Sequence, residues 1–132
     1  MQKNNFGRII NVSSVSVKEP IPHLVLSNTI RAALISWSKT LSAEVAKNNI
    51  TVNNILTGYF ETERLNSIMK MQAKNANIDL AEMKNITLDQ VPMKRLGKPE
   101  EYGYLAAFLA SDYAAYITGV NIPIDGGRLK SI

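Results

Sequence analysis

Short β-branched runs alternate along this chain with longer stretches in which apolar residues recur every three or four positions. Gly7 to Val12 (GRIINV), bounded by glycine and serine, predicts a buried strand whose β-like character ends at Ser14. Three serines and then Pro20 and Pro22 mark 13–22 as loop. From Ser27 to Lys47, Ile30, Leu34, Trp37, Leu41 and Val45 fall at helical spacing, so a helix with a core-facing stripe is predicted, Trp37 included. Asn48 and Asn49 can end it, because asparagine tolerates the left-handed cap. Ile50 to Leu56 reads as a second strand.

Gly58 then opens a long polar segment that runs to about Pro92. It holds two short helical patterns, one around Leu65, Ile68 and Met69, the other starting at Asp79 with Glu82 placed as in a capping box. Excursions of this length are often lids. Pro99 suits the first position of another helix, with Glu100 and Glu101 near its positive end and Leu105, Ala106 and Leu109 on its buried side. A last strand is expected at Gly119–Ile124, followed by the turn Asp125-Gly126-Gly127, whose glycines bend the chain. Strand–helix–strand with short connections is the rhythm of a parallel α/β sheet, without repeat or linker.

The composition narrows the functions. At 132 residues, 45% of them hydrophobic and 20% charged, the chain is an ordinary globular domain in make-up. The start lacks a signal-peptide stretch, and LAAFLA from Leu105 is far too short to span a bilayer. With no cysteine there is no disulfide or thiolate chemistry, which fits a reducing cytoplasm. The +4 net charge is scattered over positions such as Lys3, Arg8, Lys18 and Lys70, a solvated surface rather than a nucleic-acid stripe. One histidine and no cysteine leave no basis for a His-based metal site.

Four features carry candidate chemistry. Ser14 ends the first strand; thirteen residues later comes Ser27, and four beyond it Arg31, on one helical face. Read alone, Ser27 is equally a helix N-cap and Arg31 a solvated cation. His23 lies four residues before Ser27, either a replacement proton donor or a plain loop histidine. Thr57-Gly58-Tyr59-Phe60-Glu61-Thr62 follows the second strand. Met69, Met71 and Met83 read as core or as lining for a lipophilic substrate.

The strand–Ser–loop–helix order, the Gly-x-x-x-Thr step and the tail RLGKPEEYGYLAAFLASDYAAYITGVNIPIDGG together resemble the short-chain dehydrogenase/reductase family, in particular the 3-oxoacyl carrier-protein reductases. The resemblance runs from Gly7 to Gly127 and implies a Rossmann-like three-layer α/β sandwich with a parallel sheet. Residues 1–132 would be the C-terminal half of such a domain, with a lid or substrate segment at about 58–92, since no glycine-rich phosphate turn occurs.

By resemblance the activity is NAD- or NADP-dependent carbonyl reduction or alcohol oxidation. Ser14, Ser27 and Arg31 fall at catalytic positions; Arg31, Gly58, Phe60 and Thr62 at cofactor positions; Ser14, His23 and Tyr59 at substrate positions. Ser27 and Arg31 stand where the family carries Tyr and Lys. A serine hydroxyl is shorter and far less acidic than a phenol, whereas Arg31 keeps charge and donors for a ribose contact. Thr57 in place of the family's proline loosens the turn. Partners implied are a small carbonyl or alcohol substrate and further copies of the chain, as dimer or tetramer. A truncated or divergent reductase is one reading; a catalytically inactive nucleotide- or partner-binding relative is the other, with a self-standing interaction module a third.

Overall fold

Three parallel strands, β1 (Gly7–Ser14), β2 (Ile50–Thr57) and β3 (Asn121–Ile124), lie in that order in a computed structural model that describes residues 1–131. Four helices accompany them: α1 (Val25–Val45), α2 (Glu63–Ala76), α3 (Leu80–Asp89) and α4 (Pro99–Ala110). Ile50 through Leu56 are all buried, as expected of a central strand covered on both faces. On the α1 face, Val45, Val52 and Ile50 pack with Ile9 and Leu41. On the α4 face, Ile55 and Leu109 gather Ile10, Leu105 and Ile122. Helices on both faces of a parallel sheet make the expected α/β sandwich.

The polar punctuation does what its chemistry suggests. Thr62 caps α2 by accepting from the Leu65 N–H at 3.2 Å, and Asp79 caps α3 by accepting from the Glu82 N–H at 2.7 Å. Asn49 closes the region after α1 in the left-handed conformation, φ 53°. The Glu101 carboxylate accepts from the Lys98 N–H at 2.7 Å and pairs with Arg95 at 2.6 Å. The strands exceed or trim their expected ends by one to two residues; β1 reaches Ser14, β2 reaches Thr57, and β3 begins at Asn121.

Two expectations need correcting. Trp37 is not in the core: it is 51% exposed, and Ile30 is 68% exposed. The face that α1 turns to the sheet is set instead by Ser38, Ser42 and Val45, all buried, flanked by Leu34 and Leu41. Small serines let the helix backbone approach the sheet closely. Trp37 lies one residue, about 100°, away from Ser38 around the helix and so points outward with Ile30. Arg8 is likewise no surface cation; its side chain is 8% exposed. It donates to the carbonyls of Gly7, Asn49 and Ser111, pairs with Asp112 at 3.5 Å, and lies over the Phe6 ring.

One edge of the sheet stands out. β1 pairs with β2 along its whole length, while no strand among the described residues lies on its other side. An eight-residue parallel edge is an unusual surface to leave uncovered.

Candidate active-site cleft

Ser14 and Thr57 are the last residues of β1 and β2 and are partners in register, so the two strands deliver them side by side at the carboxyl end of the sheet. That end is where open α/β sheets place their ligands. A cleft of about 260 Å³ opens there, lined by Ser14, Thr57, Gly58, Tyr59, Phe60 and Thr62, with apolar walls from Val15, Ile21, Leu65 and Ile68. Ordinary small-molecule sites occupy about 300–1,000 Å³, so this one suits a ring-sized group with a small companion rather than a dinucleotide.

Ser14 is half-buried, and its hydroxyl oxygen accepts from the Ser16 N–H at 3.1 Å, leaving its own hydrogen free. Its neighbour Ser13 points to the opposite, α1-facing side of the strand, where it is buried without a hydrogen-bond partner. The strand's alternation thus singles out Ser14. Gly58 is required by close approach: a β-carbon there would sit 2.6 Å from the Asp125 Cα, because its N–H donates to the Ile124 carbonyl at 3.0 Å. Phe60 reaches the cleft, yet its ring is mostly buried, edge-on to Tyr102 at 5.5 Å and against Gly97. Thr62 lines the cleft with its hydroxyl hydrogen still available after capping α2.

Ser27, Arg31 and His23 are not among the residues lining this cleft. Ser27 is also not the helix cap: α1 begins at Val25 with Leu24 in the cap position and no side-chain cap. Asn28 draws the helix start back by donating to the Ile21 carbonyl at 2.9 Å. Ser27 and Arg31 pair with each other, Arg31 Nε donating to Ser27 Oγ at 3.2 Å. His23 is exposed, in the left-handed conformation at φ 65° in the turn before α1.

No phenol takes the place that Ser27 leaves. The Tyr59 hydroxyl donates to Gln90 Oε1 at 3.2 Å, and the Tyr59 ring is covered by the Arg128 guanidinium at 4.4 Å. Burial pushes the Tyr102 phenol up in pKa, against a weak hydrogen bond from Thr57, which is the reverse of activation. Of the lid methionines, Met69 is buried, Met83 half-buried and Met71 exposed, and none lines the cleft. Sequence patterns did not point to Arg64 or Arg128, which both line it. Arg128 is carried there by the turn at Gly126 and Gly127, whose φ values of 64° and 85° need glycine. Asp125 fastens that turn by accepting from the Gly127 and Leu129 N–H groups.

Among the described residues, no three His, Cys, Asp or Glu side chains gather as a metal site, and no helix is long and apolar enough to cross a membrane. No glycine cluster forms a pyrophosphate cradle either: Gly126 and Gly127 are packed against Val91 and Pro92.

Comparison with known proteins agrees with this geometry. A family model described as enoyl-(acyl carrier protein) reductase matches residues 1–128. NADPH-dependent reductase BacG of Bacillus subtilis is 42% identical over 132 residues, which is 100% of this chain and 51% of that protein. A 3-oxoacyl-[acyl-carrier-protein] reductase, FabG of Rickettsia conorii, is 34% identical over 98% of this chain and 49% of its own length. The crystal structure of YwfH, an NADPH-dependent reductase involved in bacilysin biosynthesis, superposes with a TM-score of 0.93 at 40% identity, covering 99% of this chain and 50% of that one. The chain therefore spans about half the length of the curated relatives it matches. With its parallel sheet, its Ser14-bearing strand end and a family match over nearly its whole length, the chain belongs to the short-chain dehydrogenase/reductase family.

Proposed function

We propose that the chain is the substrate- and nicotinamide-binding half of an NAD(P)-dependent reductase acting on a small carbonyl compound, or in reverse on an alcohol. The observation that carries this reading is the pairing of Ser14 with Thr57 at the carboxyl end of the sheet, which forms one cleft with Gly58, Tyr59 and Thr62. The open edge of β1 supports a further strand, and with it a glycine-rich phosphate-binding half.

The donor set fits a nicotinamide. The Thr62 hydroxyl hydrogen is free for an amide oxygen, and Val15, Ile21 and Leu65 offer apolar walls to a flat ring. When bound, the nicotinamide supplies the hydride. Ser14 donates its hydroxyl hydrogen to the substrate oxygen and so favours the charge that develops there during reduction. Gly58 lets β2 and the Asp125 turn close on each other, which fixes Thr62 beside Ser14. Arg31 holds Ser27 and keeps its remaining N–H groups for a ribose hydroxyl. The outward apolar face of α1, with Leu26 78% exposed besides Ile30 and Trp37, supports a covering by the rest of the domain or by a second copy of the chain.

A second reading has its own observation. Ser27 is no phenol and is held by Arg31, so a ligand-binding relative without turnover fits the same cleft. Reduced nicotinamide mononucleotide, the part of the cofactor this cleft can hold, separates the two. Its oxidation by a ketone panel is expected to be accelerated by the chain, and Ser14→Ala is expected to lower that rate about 100-fold. Binding without oxidation selects the ligand-binding relative. Oxidation that is indifferent to Ser14→Ala contradicts the assignment of the site.

A further inference from the structure

Arg64 and Arg128 both face the cleft that holds Ser14, and no acidic side chain lines it. Ion pairs among the described residues join Arg8 to Asp112, Lys94 to Asp89 and Arg95 to Glu101; Arg64 and Arg128 take part in none. The Glu19 carboxyl is lowered in pKa first by the Lys130 and Ser131 N–H groups and last by the charge of Arg128, with which it forms no ion pair. Asp125 accepts from backbone N–H groups of its own turn, and Glu19 accepts from those of Lys130 and Ser131 at 2.8 and 3.0 Å.

Arg128 is nonetheless held in place. Its guanidinium lies over the Tyr59 ring, Cζ 4.4 Å from the centroid, and Tyr59 is itself fixed through its hydroxyl to Gln90. A stacked guanidinium is oriented by its face and keeps its in-plane N–H donors at the edge, where they match a carboxylate with two parallel hydrogen bonds. The Arg128 side chain makes no hydrogen bond to the protein among the described residues, so these donors are unspent. Around the charge the walls are apolar, from Val15, Ile21, Leu65 and Ile68.

We infer that Arg128, assisted by Arg64, is an anion subsite of this cleft, and that the substrate class is an oxo acid: a carbonyl compound with an apolar body and a carboxylate. The inference rests on the reading of the cleft as the substrate site. The same two arginines offer their charge to a phosphate of the cofactor, so the test separates the two sources.

The test is calorimetric titration of the intact chain with 4-methyl-2-oxopentanoate, with its methyl ester, with inorganic pyrophosphate and with NADPH. The acid is expected to bind about 10-fold more tightly than the ester, the size of one charge-assisted hydrogen-bonded pair. Arg128→Leu is expected to remove that preference and Arg128→Lys to keep part of it, with NADPH affinity unchanged in both. The comparison of acid with ester on the unaltered chain needs no variant and stands whether or not Arg128→Leu folds. Equal affinity for acid and ester, or no binding of the acid, overturns the inference. Loss of NADPH and pyrophosphate binding in Arg128→Lys, with acid binding retained, also overturns it and assigns the arginines to the cofactor. If the acid preference holds and no nicotinamide compound is oxidised, the anion subsite stands and the reductase reading falls.

Discussion

Ser38 Oγ donates to Asn54 Oδ1 at 2.8 Å, and this one bond ties the middle of α1 to the central strand through two buried side chains. It belongs to a ladder that crosses the sheet. Asn11, Asn54 and Asn121 are register partners on the three strands. Asn11 Nδ2 donates to Ser38 Oγ and Asn54 Oδ1, and Asn54 Nδ2 donates to Asn121 Oδ1 at 2.8 Å. The ladder fixes how α1 is rotated against the sheet, and hence where Ser27 and Arg31 stand. Asn54→Leu removes the acceptor that Asn11 and Ser38 share and the donor to Asn121, leaving Ser38 the Leu34 carbonyl and Asn11 the Ser38 hydroxyl. It is expected to cost about 2–3 kcal/mol, read from urea unfolding. A cost below about 0.5 kcal/mol contradicts the ladder.

Gly58→Ala forces a methyl group to within 2.6 Å of the Asp125 backbone, where no flexible side chain can yield. The ends of β2 and β3 must part, at an expected cost of about 1–3 kcal/mol. The same shift moves Thr62 relative to Ser14, so nicotinamide affinity should fall further than that of a Gly103→Ala control, which meets nothing within 4 Å. Calorimetric titration with reduced nicotinamide mononucleotide checks both variants.

The acid limb of stability is set in part by Glu101. Its carboxyl is pulled down to about 2 by the Arg95 guanidinium first and the Lys98 N–H second. A depressed carboxyl pKa adds stability that is full above the ordinary value of 4.5 and fades as pH falls toward about 2. Glu19 shifts in the same direction through the Lys130 and Ser131 N–H groups. Glu101→Gln is expected to lower neutral-pH stability slightly and to flatten the loss between about pH 4.5 and 2 by the same small amount, the effect being modest because the pair is partly exposed to solvent. Urea midpoints across this range test it, and an unaltered acid slope contradicts it.

Trp37 is the chain's one tryptophan, and at 51% exposure it reports directly on the outer face of α1. Its fluorescence is expected to be readily quenched by acrylamide in dilute solution and to become protected as concentration rises and copies pair. Trp37→Ser should cost less than about 1 kcal/mol of monomer stability. Full shielding at high dilution contradicts the outward placement.

The elements were legible because their signals are local. Pro99, Asp79, Asn49 and the Asp125-Gly126-Gly127 turn act through neighbours within a few residues, and each does so here. Ser14 and Thr62 were reached only through the family resemblance of the strand end and of the Gly-x-x-x-Thr step, and both line the cleft. The orientation of α1 was not, because apolar spacing alone does not tell a sheet-facing stripe from one that awaits another partner. Trp37 and Ile30 fit the helical period as well as Leu34 and Leu41 do, and what decides is the small size of Ser38 and Ser42. Arg128 was hidden for a different reason. Its place over Tyr59 depends on the chain reversing at two glycines, a relation between positions distant in sequence.

The central claim is that this chain holds the nicotinamide end of a dinucleotide and not its pyrophosphate and adenine end. Saturation-transfer NMR on the chain with NADPH tests it in one spectrum, because the ring protons of the two ends are resolved. Strong transfer to the nicotinamide protons and little to the adenine protons is expected, with Thr62→Val weakening the former. Transfer dominated by adenine, or absent from nicotinamide, contradicts it.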